Sequence, residues 1–370
     1  MTAATTSPPP LTGPVSRIDP ATAYHRPASA RGLLRLDCNE GVLPPQALLA
    51  TLATADPELL RRYPDVSPLE ARLAARLGVE PARVIVTAGA DEAIDRACRA
   101  FLEPGRVIVV PAPSFDMFDC SAALAGAELV RVPWRDDAFP IDGFVERLDA
   151  RTGLVVVVSP NNPTGSVATL DDVRRLAAAA PRTLIILDHV YAEYADEDLT
   201  PGVLDLPNVL VLRTLSKAWG LAGCRVGYAV GSPYVIAVLR AAGAPYPVAA
   251  PSVALALAQL DRGAEPLRAH VARVREERSL LSGRLTARGL APRASQGNFL
   301  LVECAGKARA ASIGAGLAAR GILVRAFPGR ADLETALRIT LPGDPTDFTR
   351  LCEALDATLD VELGAGGIRP

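Results

Sequence analysis

Three polar residues follow three apolar runs. Asn162 comes after Leu154-Val155-Val156-Val157-Val158, Asp188 after Leu184-Ile185-Ile186-Leu187, and Lys217 after Val209-Leu210-Val211-Leu212. An unbroken apolar run of this length reads as a strand covered on both faces, the pattern of a parallel sheet. The separations are 188 − 162 = 26 and 217 − 188 = 29 residues, close to the ~30 of one strand–helix–strand unit. Ligands of open α/β sheets collect outside the carboxyl ends of the strands. An amide, a carboxylate and an amine are therefore expected on one rim. An amine held among apolar neighbours becomes a nucleophile once it sheds its proton, so the chemistry this predicts is Schiff-base formation at Lys217.

A second local pattern points to a phosphate. The strand Val84-Ile85-Val86-Thr87 runs into Ala88-Gly89-Ala90-Asp91-Glu92, which opens a helix to Phe101. Small residues at a helix start leave backbone N–H groups free for an anion. Two further cations stand on short strand patterns: Arg325 in Gly321-Ile322-Leu323-Val324-Arg325, and Arg338 in Leu337-Arg338-Ile339-Thr340.

The elements that must carry these groups alternate along the chain. Strands are expected at 33–36, 84–87, 106–110, 127–132, 154–158, 183–187, 209–212, 226–230, 299–302, 321–325 and 337–340. Helices are expected at 45–55, 68–77, 93–101, 141–148, 170–180, 233–242, 251–288 and 308–320. This alternation predicts an α/β fold, with a frayed tail after about Asp360. The 370 residues, 49% of them hydrophobic, suffice for a large unit and a small one.

Composition excludes several classes. Lys plus Arg number 39 and Asp plus Glu 41, for a net charge of −2, so no basic excess suggests nucleic acid. The apolar runs fall far short of the roughly 20 residues of a membrane helix. Six cysteines without a C-x-x-C pair suggest neither a metal nor a disulfide framework but a reducing cytoplasm. Three well-separated histidines, 25, 189 and 270, form no ligand motif. No G-x-G-x-x-G follows a strand, which argues against a nicotinamide site. The opening MTAATTSPPPLTGP lacks the pattern of a secretory signal and reads as a flexible arm over residues 1–30, with Tyr24 and His25 near its end.

Taken together, Ser159-Pro160-Asn161-Asn162-Pro163-Thr164-Gly165, Asp188-His189-Val190-Tyr191 and Ser216-Lys217-Ala218-Trp219-Gly220-Leu221-Ala222-Gly223-Cys224-Arg225 resemble the pyridoxal-phosphate aminotransferases of fold type I. Among these the chain is most similar to the histidinol-phosphate aminotransferase branch, from about Leu36 to Leu341. The resemblance implies a three-layer large domain at 56–259, with a mostly parallel sheet that holds pyridoxal 5′-phosphate. It also implies a smaller α+β domain from both chain ends, 31–55 and 260–363.

For the site, the resemblance implies that Lys217 forms the Schiff base, Asp188 meets the pyridine nitrogen, and Tyr191 and Asn162 meet the phenolic oxygen. Phe115 stacks on the ring, while Ala90, Asp91, Thr214, Ser216 and Arg225 hold the phosphate. Arg338, with Arg325 as a second cation, binds the substrate carboxylate. Tyr63 reaches the phosphate of the partner subunit in a homodimer. The implied reaction moves an amino group between an L-amino acid, or an amino-acid-like phosphate such as histidinol phosphate, and a 2-oxo acid. Decarboxylases, cyclases and oxidases of the same fold retain the same lysine, aspartate and arginine. Two departures stand out: His189 replaces a common Glu after Asp188, and Glu40-Gly41-Val42-Leu43-Pro44-Pro45 replaces N-E-N-P.

Overall fold

The computed structural model describes residues 32–366, with side chains to residue 361. The expected arm over 1–30, with Tyr24 and His25, lies outside the described residues.

Twelve strands build two sheets among the described residues: β1 (Leu34–Leu36), β2 (Val84–Thr87), β3 (Val107–Ala112), β4 (Glu128–Pro133), β5 (Thr152–Val158), β6 (Leu184–Asp188), β7 (Val209–Thr214), β8 (Gly227–Val230), β9 (Ala291–Pro292), β10 (Phe299–Glu303), β11 (Ile322–Ala326) and β12 (Ala336–Thr340). The larger sheet has the order β2-β8-β7-β6-β5-β3-β4. From β7 to β4 every pairing is parallel, and β8 runs antiparallel to both β7 and β2.

Alternation along the central strands explains the three layers. On β5, Leu154, Val156 and Val158 pack with Ile94, Ala97, Phe118 and Leu239 on one face. Val155 and Val157 pack with Phe144, Val173, Leu176 and Val203 on the other. None of the five β5 residues is more than 1% exposed. Each such burial contributes about 1.5–3 kcal/mol, which is why the stretch from Leu154 to Val158 is wholly apolar. Beyond the sheet the chain must turn, and there polar side chains become affordable.

The smaller sheet has the order β1-β11-β12-β10-β9 and draws on both ends of the chain. β1 pairs in parallel with β11, Leu34 opposite Ile322, while β10–β12 and β11–β12 are antiparallel. Its core is closed by Leu281 and Leu285 from one helix and Leu351, Leu355 and Leu359 from the last.

Three expected elements differ. The helix expected over 251–288 is two helices, Ala250–Arg262 and Ala264–Ala287. They part at Gly263, whose N–H bonds Gln259 O at 2.7 Å; a Cβ there would lie 2.5 Å from that oxygen. The helix expected over 45–55 is a 3-10 turn, Gln46–Leu48, followed by the short helix Ala50–Ala53. Leu48 is buried but Leu49 is 61% exposed, so the leucines do not share an inward face. The tail expected to fray after Asp360 continues as helix to Gly366.

Candidate active site

The registers Val158↔Asp188 and Asp188↔Leu212 align the ends of β5, β6 and β7. Asp188 closes β6, Lys217 follows β7 by three residues, and Asn162 follows β5 by four. All three line one cavity of about 330 Å³. The same cavity is lined by Ala90, Asp91, Phe115, Tyr191, Thr214, Ser216, Arg225, Arg325 and Arg338. Of the sequence-derived site residues, only Tyr63 lies elsewhere: it is 80% exposed and stacks on Tyr246 with ring centroids 4.5 Å apart.

Each group is held by a specific neighbour. Lys217 Nζ donates to Cys38 O at 3.0 Å and stands 5.7 Å from the centre of the Tyr191 ring. The Tyr191 ring meets Phe299 edge-on at 5.2 Å, and its hydroxyl accepts from Asn39 Nδ2 at 2.9 Å. Arg338 donates through Nη2 to Asp37 O at 2.7 Å and through Nη1 to Asn162 Oδ1. Arginine has no acceptor, so the Asn162 atom facing it is the oxygen, and the amide NH2 is left for another partner. Arg325 is the register partner of Arg338 on the neighbouring strand.

Asp188 is 3% exposed, and its bond from the Val190 N–H is long, 3.4 Å. Burial pushes its carboxyl up to about 7; the Val190 amide and Lys217 oppose the shift and Asp91 adds to it. A buried acid raised by desolvation is a group without its counter-charge.

An end of the cavity suited to an anion lies at the start of the helix Gly89–Phe101. A Cβ on Gly227 would lie 2.3 Å from Gly89 C and 2.6 Å from Ala90 N, so only glycine lets β8 pass this close to the helix start. At Gly89, φ is +76°, and a Cβ would sit 2.4 Å from Arg225 Nη2. The guanidinium therefore rests against the helix's first amides, where it bonds Asp91 Oδ2 at 3.1 Å. Ser216 Oγ is buried and has no hydrogen-bond partner.

The comparisons with known proteins agree with this geometry. Residues 32–355 match the model of the family "Aminotransferase class I and II". The chain belongs to the class I and II aminotransferases. It is 39% identical over 342 residues to the histidinol-phosphate aminotransferase of Roseiflexus castenholzii, covering 89% of this chain and 88% of that one. It is 35% identical over 337 residues to that of Erythrobacter litoralis, covering 89% and 91%. Among solved structures it is similar to the histidinol-phosphate aminotransferase of Sinorhizobium meliloti in complex with pyridoxal-5′-phosphate. There the TM-score is 0.82 at 29% identity, covering 90% of this chain and 92% of that one. The protein is a pyridoxal-phosphate-dependent aminotransferase working on small amino and oxo substrates, and the rival reactions of the same fold are not favoured.

The aminotransferase site fits that cofactor on its own chemistry. Among the described residues no cation forms an ion pair with Asp188, and a protonated pyridine nitrogen would supply one. Ser216 Oγ lacks a partner, and helix amides with a guanidinium beside them suit a phosphate. Lys217 supplies the amine. Among the described residues no group of three or more His, Cys, Asp and Glu could hold a metal ion, and no helix is long and apolar enough to cross a membrane.

Several site residues escaped the sequence reading. Cys38 and Asn39 line the cavity from just beyond β1, and the Asp37 carbonyl holds Arg338; their one sequence signal is a position past a strand end, like Asn162. Arg330, in the turn between β11 and β12, pairs with Asp116 at the start of the helix Met117–Ala125, and both line the mouth. Burial pushes the Asp116 carboxyl up, against the pull of Arg330. Nothing in the local sequence marks either residue. His189 is fully buried; its Nδ1 contacts Ser159 O and its Nε2 accepts from Leu199 N–H at 3.1 Å. Its ring braces two backbone segments behind Asp188 and does not line the cavity.

Proposed function

We propose that this aminotransferase takes its amino group from a donor with an anion near the amine, either an L-amino acid or an amino-alcohol phosphate such as histidinol phosphate, and passes it to a 2-oxo acid. The observation that carries this reading is the pair Arg325 and Arg338 on adjacent strands, both lining the cavity that holds Lys217. A planar guanidinium forks onto carboxylate or phosphate oxygens in parallel bonds, which a point-charge ammonium does not. The histidinol-phosphate names of the relatives support the phosphate branch.

When bound, pyridoxal phosphate supplies a carbonyl carbon for amines and a ring that accepts the electron pair released at the substrate's α-carbon. The chain's residues do the rest. Lys217 takes the proton from the α-carbon and returns it one position away, as base and then acid. Asp188 balances positive charge at the ring nitrogen. Tyr191 and Asn162 donate to the ring oxygen. Ala90, Asp91, Thr214, Ser216 and Arg225 would hold the phosphate, and Phe115 would stack on the ring. Arg338 would fix the substrate anion and so orient its α-carbon toward Lys217. The first oxo product leaves before the second substrate enters, which gives ping-pong kinetics.

The exposed Tyr63, with Leu43, Leu49 and Leu60 also exposed, supports a homodimer in which Tyr63 completes the partner's phosphate site. Six cysteines without a C-x-x-C pair support a cytoplasmic location. The strand ranges support a division into 31–55 with 260–363 against 56–259, since those of the larger sheet all lie between Val84 and Val230.

The test is a panel of amino donors in half-reactions, followed by loss of the cofactor's visible band. Donors with a carboxylate or phosphate near the amine should discharge it. Equal rates with amines that lack any anion would overturn the reading. Sedimentation should show a dimer; a monomer at assay concentrations would remove the role given to Tyr63.

A further inference from the structure

We infer that Asn39 is a positioning residue that makes the Tyr191 hydroxyl a one-way donor into the cavity. The inference rests on the proposed meeting of Tyr191 with the cofactor's ring oxygen.

Asn39 is 1% exposed and sits just beyond β1, at φ +54°. Its backbone N–H donates to Thr340 Oγ1 at 3.1 Å, and Thr340 Oγ1 donates to Asn39 Oδ1 at 2.9 Å. Its Nδ2 donates to the Tyr191 hydroxyl at 2.9 Å. Its carbonyl accepts from Asn298 Nδ2 at 3.3 Å. These bonds fix which way the amide faces. Turned over, the amide would present a second donor to Thr340 and leave the Thr340 proton without an acceptor in a buried site, which is costly.

The Asn39 NH2 is donor-only, so the Tyr191 oxygen must accept from it. The single Tyr191 proton is then directed away from Asn39, toward the space enclosed by Lys217, Asp188 and Asn162. The left-handed backbone explains the residue type. Asn, Asp and Gly tolerate φ near +54° far better than other residues. Of these three only Asn offers both a donor for Tyr191 and an acceptor for Thr340. Both neighbouring carbonyls serve the same site: Asp37 O receives Arg338, and Cys38 O receives Lys217. The turn 37–39 thus sets three of the groups assigned to substrate and cofactor, Arg338, Lys217 and Tyr191.

The experiment compares Asn39→Asp, Asn39→Gly and Tyr191→Phe as cofactor-loaded proteins. It reads the pH midpoint of the visible band, with kcat and KM alongside. Asn39→Asp keeps the backbone preference but accepts the Tyr191 proton and turns it away from the ring. A ring oxygen short of one donated bond holds a neighbouring proton more tightly. The midpoint should therefore rise in Asn39→Asp as it does in Tyr191→Phe, with kcat about tenfold lower, the scale of one strong hydrogen bond, and KM for the donor little changed. Asn39→Gly, which adopts this φ without strain, should shift the midpoint in the same direction by less, and it decides the matter if Asn39→Asp does not fold. A wild-type midpoint in both Asn39 variants, beside a raised one in Tyr191→Phe, would overturn the inference alone and reduce Asn39 to a turn residue. A wild-type midpoint in Tyr191→Phe would overturn the underlying role of Tyr191.

Discussion

On the rim of the larger sheet, Asn162, Asp188 and Lys217 each lie within four residues of the strand that aims them. Across the cavity, Asn39 meets Thr340 over a separation of 301 residues, and Arg338 reaches back the same distance to Asp37. In the proposed mechanism the rim supplies the groups that react. The opposite wall supplies the bonds that point them: Cys38 O for Lys217, Asn39 for Tyr191, and Asp37 O for Arg338. Chemistry placed on one rigid sheet and aimed from another makes the site depend on how the two sheets sit against each other. Substitutions on the rim should remove a step outright, whereas substitutions on the facing wall should weaken it.

The largest effect belongs to Lys217. Lys217→Ala should lose the cofactor's visible band and lower turnover by about 10³-fold or more, because the proton transfer loses its only amine; a stopped-flow half-reaction measures this. Asp188→Asn should lower kcat by about 10²-fold, since the ring nitrogen loses its anion. The same change should stabilise the cofactor-free protein. With the Asp188 carboxyl raised from 3.8 to about 7, the folded state holds a proton that the unfolded state has released, so wild-type stability falls as pH rises through that window. Above pH 7 the cofactor-free Asn variant should be more stable by about 2–4 kcal/mol in urea unfolding, and equal to wild type below pH 4.

On the facing wall, Arg338→Lys should raise KM for carboxylate substrates and lower kcat/KM by about 10–100-fold, because the forked contact is lost while the charge remains. If this substitution proved as damaging as Lys217→Ala, the contrast between the two walls would fail. Tyr63→Phe should have the smallest effect, a few-fold weaker affinity for pyridoxal phosphate with kcat nearly kept, since one hydrogen bond to an exposed phosphate is worth about 1 kcal/mol.

This contrast also explains what the sequence could be made to say. The runs before Asn162, Asp188 and Lys217 are legible because strand residues packed on both faces are mostly apolar, so the return of polar residues marks the approach to the rim. The break at Gly263 was missed because a single glycine inside a helical pattern is usually tolerated. The 45–55 segment was misread because Leu48, Leu49 and Leu52 match a helical spacing although only Leu48 is fully buried. Arg330 and Asp116 could not be read at all, and Asn39 only as a position past a strand end. Their roles arise from pairings between remote segments, Asp116 with Arg330 being 214 residues apart, and no local pattern encodes such a meeting.

The chain contains only two lysines, Lys217 in the cavity and Lys307 exposed at the start of the helix Lys307–Ala319. Borohydride reduction of the cofactor-loaded protein, followed by peptide mass spectrometry, therefore reads the central claim directly. The account predicts a single pyridoxyl mass addition, on the peptide that carries Lys217. Labelling at Lys307 or at the chain's amino terminus, with Lys217 unmodified, would contradict it.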